Sequence, residues 1–169
     1  GFTANAQQKA ALNSAGNTTI FVGADPFIDA YNAAVNGDTI YLSGGSYNAP
    51  NTINKRLTIF GAGFHPDSTS ATFPTQITSN ILLGENADSL HLEGLQLQTV
   101  NKYASTEVNS LSIKRCKIAA LDFKVSGTGY SNCISLGLTE NIITGNLDLE
   151  TMNNSIVSNN IIQGQLSYS

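Results

Sequence analysis

Tryptophan is absent from the 169 residues, methionine occurs once, proline four times, and only 12% of positions are charged. That charge is about half the usual share. With 8 basic against 12 acidic residues, a net charge of −4 and a pI near 4.9, the chain carries no electrostatic footprint for nucleic acid. Its one basic cluster, Lys114, Arg115 and Lys117, is too small to hold a phosphate backbone. Two cysteines, Cys116 and Cys133, cannot make a disulfide framework. Buried free thiols are the expected state, with one disulfide as the lesser alternative. No His stands at ligand or dyad spacing from them, which argues against zinc and thiol catalysis. No apolar run nears the ~20 residues that a membrane-spanning helix needs. A signal-peptide pattern is missing too, and the chain opens Gly1-Phe2-Thr3 without Met, as a mature or trimmed chain does.

What is there is polar without being charged. Asn, Ser, Thr and Gly are abundant, while 41% hydrophobic residues are enough for one domain with a sizeable core. This composition suits a β-rich protein exposed outside the cell, so an extracellular, periplasmic or cell-surface location is expected.

Residues 1–17 show little apolar periodicity and read as a tail or a loosely held helix, with the folded domain spanning 18–169. Thr18 to Val22 reads as a first strand. A helix over about 26–35 follows, with Asp25 as cap, Pro26 at the first helical position and Gly37 beyond the end. Phe27, Ile28, Tyr31, Ala34 and Val35 fall on one face, so this helix should cover the open end of a sheet stack.

From Asp38 onward short strands rich in Ile, Leu and Thr are broken by Gly and Asn, and they repeat. Apolar pairs five positions apart recur as Ile59/Phe64, Leu92/Leu97, Ile113/Ile118, Leu138/Ile143 and Val157/Ile162. Their first members are separated by 33, 21, 25 and 19 residues, which fits the coil of roughly 20 to 25 residues of a three-sided β-helix with one longer insertion. Further along each coil, Leu121, Phe123 and Val125 correspond to Leu147 and Leu149, then to Leu166 and Tyr168, all pointing inward by period-two alternation. A corner column reads Ala62, Leu95, Cys116, Asn141, Asn160, and Asn141–Asn160 would begin a hydrogen-bonded ladder in which Asn tolerates left-handed backbone. The fold expected is all-β: a single-stranded right-handed parallel β-helix of about five to six coils with an N-terminal capping α-helix. An antiparallel sandwich would want Asn-Gly hairpins between strands, and Asn36-Gly37, the one such dipeptide, sits behind the helix.

The stretch from Ala33 through Asn36-Gly37-Asp38-Thr39-Ile40 to Gly45-Ser46-Tyr47 resembles the opening segment of pectin-lyase-like β-helix proteins, where a capping helix runs into Gly-Asp-Thr-Ile, a strand and a Gly-x-Tyr turn. Ile53, Lys55-Arg56-Leu57-Thr58-Ile59 and Gly61-Ala62-Gly63 continue the match, which covers residues 26 to 64 closely. The resemblance implies the fold. It says little of activity, because lyases, hydrolases, epimerases and adhesins share that fold.

Coil stacking nominates the chemistry. It sets Glu93 beside Lys114, Arg115 beside Glu140 and Lys124 beside Glu150, which read as surface charge pairs. The exception is Asp122 beside Asp148: two stacked acids on the outer face are how catalytic dyads and calcium sites begin. They are the catalytic and calcium candidates. His65 and Asp67, in the excursion after Gly63, and the loop residues Tyr103 and Tyr130 are the candidate substrate-binding side chains. His91 reads as a surface residue. No cofactor is demanded by this pattern, and calcium is the one ion it would admit. The function expected is a non-catalytic extracellular or cell-surface module that binds carbohydrate or serves a structural role. The alternative is a small polysaccharide lyase or glycoside hydrolase acting on acidic polysaccharide. A strand-rich C-terminal coil without a closing helix further predicts self-association through that end, or a native chain that continues.

Overall fold

The computed structural model describes residues 8–64, 73–103, 106–123, 133–149 and 152–168. It is a parallel β-helix of about five turns, with one helix among the described residues. Three faces stack. The first is an eight-stranded sheet in the order Ile156–Ser158, Gly137–Thr139, Ser112–Lys114, His91–Glu93, Thr58–Phe60, Thr39–Leu42, Lys9–Ser14, Asn17–Val22. The second, of nine strands, is centred on Lys117–Asp122 and Gln96–Lys102, and the third is three short strands at Val108–Asn109, Cys133–Ile134 and Met152–Asn153.

The register follows the apolar repeat. Ile40, Ile59, Leu92, Ile113, Leu138 and Val157 are successive partners, as are Leu97, Ile118, Ile143 and Ile162, and Leu121, Leu147 and Leu166. All but the members from the last coil are buried, so each coil contributes one layer to a continuous apolar core. Phe64 departs from the expected pair. The second strand of its coil is Thr75–Ile77, where Gln76 faces Gln96, so Ile77 takes the inner position. Phe64 lies instead at the corner, beside Gly61 and Gly63.

The N-terminal segment is also corrected. Lys9–Ser14 is neither tail nor helix but a strand, antiparallel to Thr39–Leu42 on one side and to Asn17–Val22 on the other. Ala10 and Leu12 are buried, which is the reason: even this short alternation covers the first coil's edge. The helix spans Pro26–Ala33 and buries Phe27, Ala30 and Tyr31, while Val35 is 60% exposed. Asp25 sits at the cap position without a capping side-chain bond; its carboxylate accepts instead from Asn48 Nδ2 at 2.8 Å. The far end is closed by Lys55, whose ammonium donates to the carbonyls of Tyr31 (2.7 Å) and Ala34 (2.8 Å) and lies 4.6 Å from the Tyr31 ring centre. Asp38 accepts from the Val35 N–H at 2.8 Å, joining the helix exit to the first coil.

The corner asparagines form the expected ladder. Asn141 accepts from Cys116 N–H (2.9 Å) and donates to Ile113 O (2.9 Å) and Asn160 Oδ1 (3.0 Å), and Asn160 donates to Leu138 O (2.6 Å). The left-handed backbone lies one residue earlier, at Gly94, Arg115, Glu140 and Asn159, with a matching column at Ser89, Ser110, Ser135 and Asn154. These two columns bound the three-residue strands of the first sheet. Cys116 and Cys133 are buried free thiols, as expected.

At the C-terminal coil the inward column is open, with Val157 43% and Leu166 50% exposed, while Ile156 and Ile161 are outward positions. Among the described residues no helix is long and apolar enough to cross a membrane.

Candidate functional site

Period-two alternation sends the other half of each strand outward, and stacking turns those side chains into columns. On the first sheet one column runs Tyr41, Phe60, Glu93, Lys114, and its neighbour runs Thr58, His91, Ser112. The rings of Tyr41 and Phe60 stack with centroids 5.3 Å apart and planes 18° from parallel, and Tyr41 is 49% exposed. Phe60 then meets His91 edge-on at 5.8 Å. Such pairs are worth roughly 0.5–1.5 kcal/mol beyond buried area. Here the two rings turn faces toward each other, and Tyr41 ends the aromatic column half exposed.

A polar network adjoins it. His91 Nε2 lies 2.8 Å from Glu93 Oε2, His91 Nδ1 lies 2.9 Å from Ser112 Oγ, and the other Glu93 oxygen accepts from Arg115 Nη2. Lys114 Nζ reaches Glu140 at 3.7 Å. The ion pairs expected from simple stacking are therefore exchanged. Arg115 has a positive φ of 49°, which takes its side chain out of the strand line and back over the preceding coil to Glu93. Lys124 and Glu150 lie outside the described residues. Burial pushes His91 below the ordinary imidazole value, and Lys114 and Arg115 push the same way.

Around the corner from these columns is a groove of about 290 Å³, lined by Phe60, Phe64, Glu93 and Arg115 over Gly61, Gly63 and Gly94. A Cβ on Gly61 would overlap the Gly94 carbonyl, so glycine is required where the two corners stack. The result is a shallow cleft with an aromatic wall and an acid–guanidinium pair at its rim.

Ser112, His91 and Glu93 are connected as nucleophile, base and acid would be. However, the backbone N–H groups of His91, Ser112 and Gly137 donate to Leu57 O (2.9 Å), Leu90 O (2.9 Å) and Leu111 O (2.8 Å). None of the three can stabilise an oxyanion above Ser112. The relay can hold and pass a proton.

Asp122 and Asp148 are register partners, as expected, and next in that column is Asn101. They are not alike: Asp122 is exposed, whereas Asp148 is covered to 5% exposure. Two carboxylates and one carboxamide supply hard oxygen donors, yet calcium takes six to eight oxygens. No group of three or more His, Cys, Asp or Glu side chains converges among the described residues. Tyr103 is 50% exposed and lines a second groove, of about 390 Å³, with Asn54 and Glu85. His65, Asp67 and Tyr130 lie outside the described residues.

The aromatic column was missed by sequence reasoning, although the signal was there. Pairing Ile59 with Leu92 already sets Phe60 beside Glu93, and one further step to Ile40 sets Tyr41 beside Phe60. No protein-family model, curated protein or solved structure matches the chain.

Proposed function

We propose that this chain is a carbohydrate-binding β-helix module of the pectin-lyase-like kind, acting outside the cell or at its surface. The observation that carries the reading is the Tyr41–Phe60 stack beside Glu93 and Arg115. A sugar ring offers an apolar face to an aromatic plane and hydroxyls to charged groups at its edge; Phe60, Glu93 and Arg115 meet in one shallow cleft, and Tyr41 extends the aromatic column beside it. The low-charge, Asn- and Ser-rich composition and the Gly37-Asp38-Thr39-Ile40 opening support the family and the location.

Hydrolysis or lysis of an acidic polysaccharide is the second reading, favoured by the stacked Asp122 and Asp148. Their unequal exposure counts against it. The open C-terminal coil is where a second copy would stack. A sedimentation series that shows a monomer at all concentrations would remove self-association from the proposal.

The test of the main reading is a glycan array followed by titration of any ligand found. Tyr41→Ala/Phe60→Ala, checked for an unchanged circular dichroism spectrum, should weaken binding by roughly tenfold or more, about 1.4 kcal/mol. Equal affinity in the variant would remove the site, and a wild-type chain that binds no glycan would remove the function.

A further inference from the structure

The second groove lies at the other edge of the second sheet. Gly94 and Tyr103 lie on either side of the strand Gln96–Lys102, and the two grooves share no lining residue. Three consecutive coils build it. Ile53 pairs with Leu83, Gly84 N–H donates to Ile53 O at 2.8 Å, and Tyr103 N–H donates to Leu83 O at 3.3 Å. This aligns Thr52 and Asn54, then Glu85 and Asn86, then Tyr103, around one polar cavity. Gly84 is its buried floor, and a Cβ there would come within 2.6 Å of the Thr52 methyl.

The groups are oriented as well as gathered. The Asn54 carboxamide oxygen accepts from the Tyr31 hydroxyl at 2.6 Å, so its Nδ2 is the end that can donate to a ligand. Thr106 N–H donates to Tyr103 O at 2.9 Å, beside the half-exposed tyrosine ring. The cavity thus offers an aromatic face, an amide donor, a hydroxyl and a carboxylate. Among the described residues Glu85 is the one charged residue of its lining. A carboxylate accepts hydrogen bonds from sugar hydroxyls or ammonium groups and repels a uronate or sulfate. The first groove carries Arg115 in addition to Glu93, so the two differ in charge.

We propose that the Tyr103 groove is a second saccharide site, selective for neutral or amino sugars over uronic acids. This rests on the reading of the chain as a carbohydrate binder but uses none of the residues of the first cleft. The experiment is saturation-transfer NMR and titration with cellohexaose, chitosan hexamer and hexagalacturonate. The proteins are the wild-type chain, Tyr103→Ala, Glu85→Gln and Tyr41→Ala/Phe60→Ala. A neutral or amino oligosaccharide should lose about tenfold in affinity with Tyr103→Ala. It should keep a site in Tyr41→Ala/Phe60→Ala, and Glu85→Gln should narrow the discrimination against hexagalacturonate. If only Tyr41→Ala/Phe60→Ala weakens binding, the second site is refuted while the carbohydrate reading stands. If hexagalacturonate binds best at the Tyr103 groove, the selectivity is refuted. If none of the three oligosaccharides binds the wild-type chain, the proposal is overturned. A wild-type chain that also binds nothing on the wider array overturns the carbohydrate reading with it.

Discussion

Replacing Asn141 by Leu tests whether the corner ladder holds the coils together. The side chain is 1% exposed and serves three partners: it accepts from Cys116 N–H and donates to Ile113 O and to Asn160 Oδ1. Leu fills a similar volume but meets none of these needs. The Cys116 N–H is left in an apolar interior, at a cost of ~1–3 kcal/mol, and two ordinary bonds worth about 0.5–1.5 kcal/mol each are lost. The total lies at about 2–6 kcal/mol, and the greater apolar burial of Leu returns roughly 1 of these. A net loss near 3 kcal/mol lowers the melting temperature by roughly 6–12 °C for a chain of this size. Asn160→Leu is the internal control. Asn160 accepts from Asn141 N–H and Nδ2 and donates to Leu138 O, but it is only partly buried, so water can replace these bonds and the loss should stay near 1 kcal/mol. Urea denaturation followed by circular dichroism measures both, with the slope watched for coil-by-coil unfolding. If Asn141→Leu lies within about 1 kcal/mol of wild type, or the two variants lose equal amounts, the ladder is not the stabilising element argued here.

Lys55→Met should remove the cation that closes the capping helix, costing about 1–2 kcal/mol and raising amide exchange over Pro26–Ala33 before it does so elsewhere. Uniform exchange along the chain would contradict that role. Burial pushes the Cys116 thiol up to about 12 and, against the pull of Lys102, the Cys133 thiol up to about 11. Iodoacetamide at pH 8 should therefore label neither thiol in the folded chain and both in denaturant, and rapid native labelling of Cys133 would show that its coil opens. His91 is lowered in the fold, so between its folded and ordinary values the unfolded chain binds more protons. Its contribution is complete above about pH 6.5 and is lost as pH falls through that window. His91→Gln should flatten this limb of the stability profile, and an unchanged limb would assign it to other groups.

The sequence by itself determined the solenoid, because one inward apolar residue per strand per coil can be buried only if the coils stack in register. Ile59, Leu92, Ile113, Leu138 and Val157 therefore named their own partners. The asparagine ladder and the Asp122–Asp148 pairing were legible for the same reason, since a fixed core column fixes every neighbouring column. The strand at Lys9–Ser14 was not legible, because its pairing is antiparallel and lies outside the repeat. Only the tertiary structure decided which acids were covered, which cations reached which carboxylates, and where grooves opened. Asp148 is buried and Asp122 exposed although they share a register. Arg115 rather than Lys114 takes Glu93, because a left-handed residue at the corner redirects its side chain. The two grooves lie where corners of adjacent coils meet over Gly61, Gly94 and Gly84, a three-dimensional coincidence of loops that periodicity along the chain does not encode.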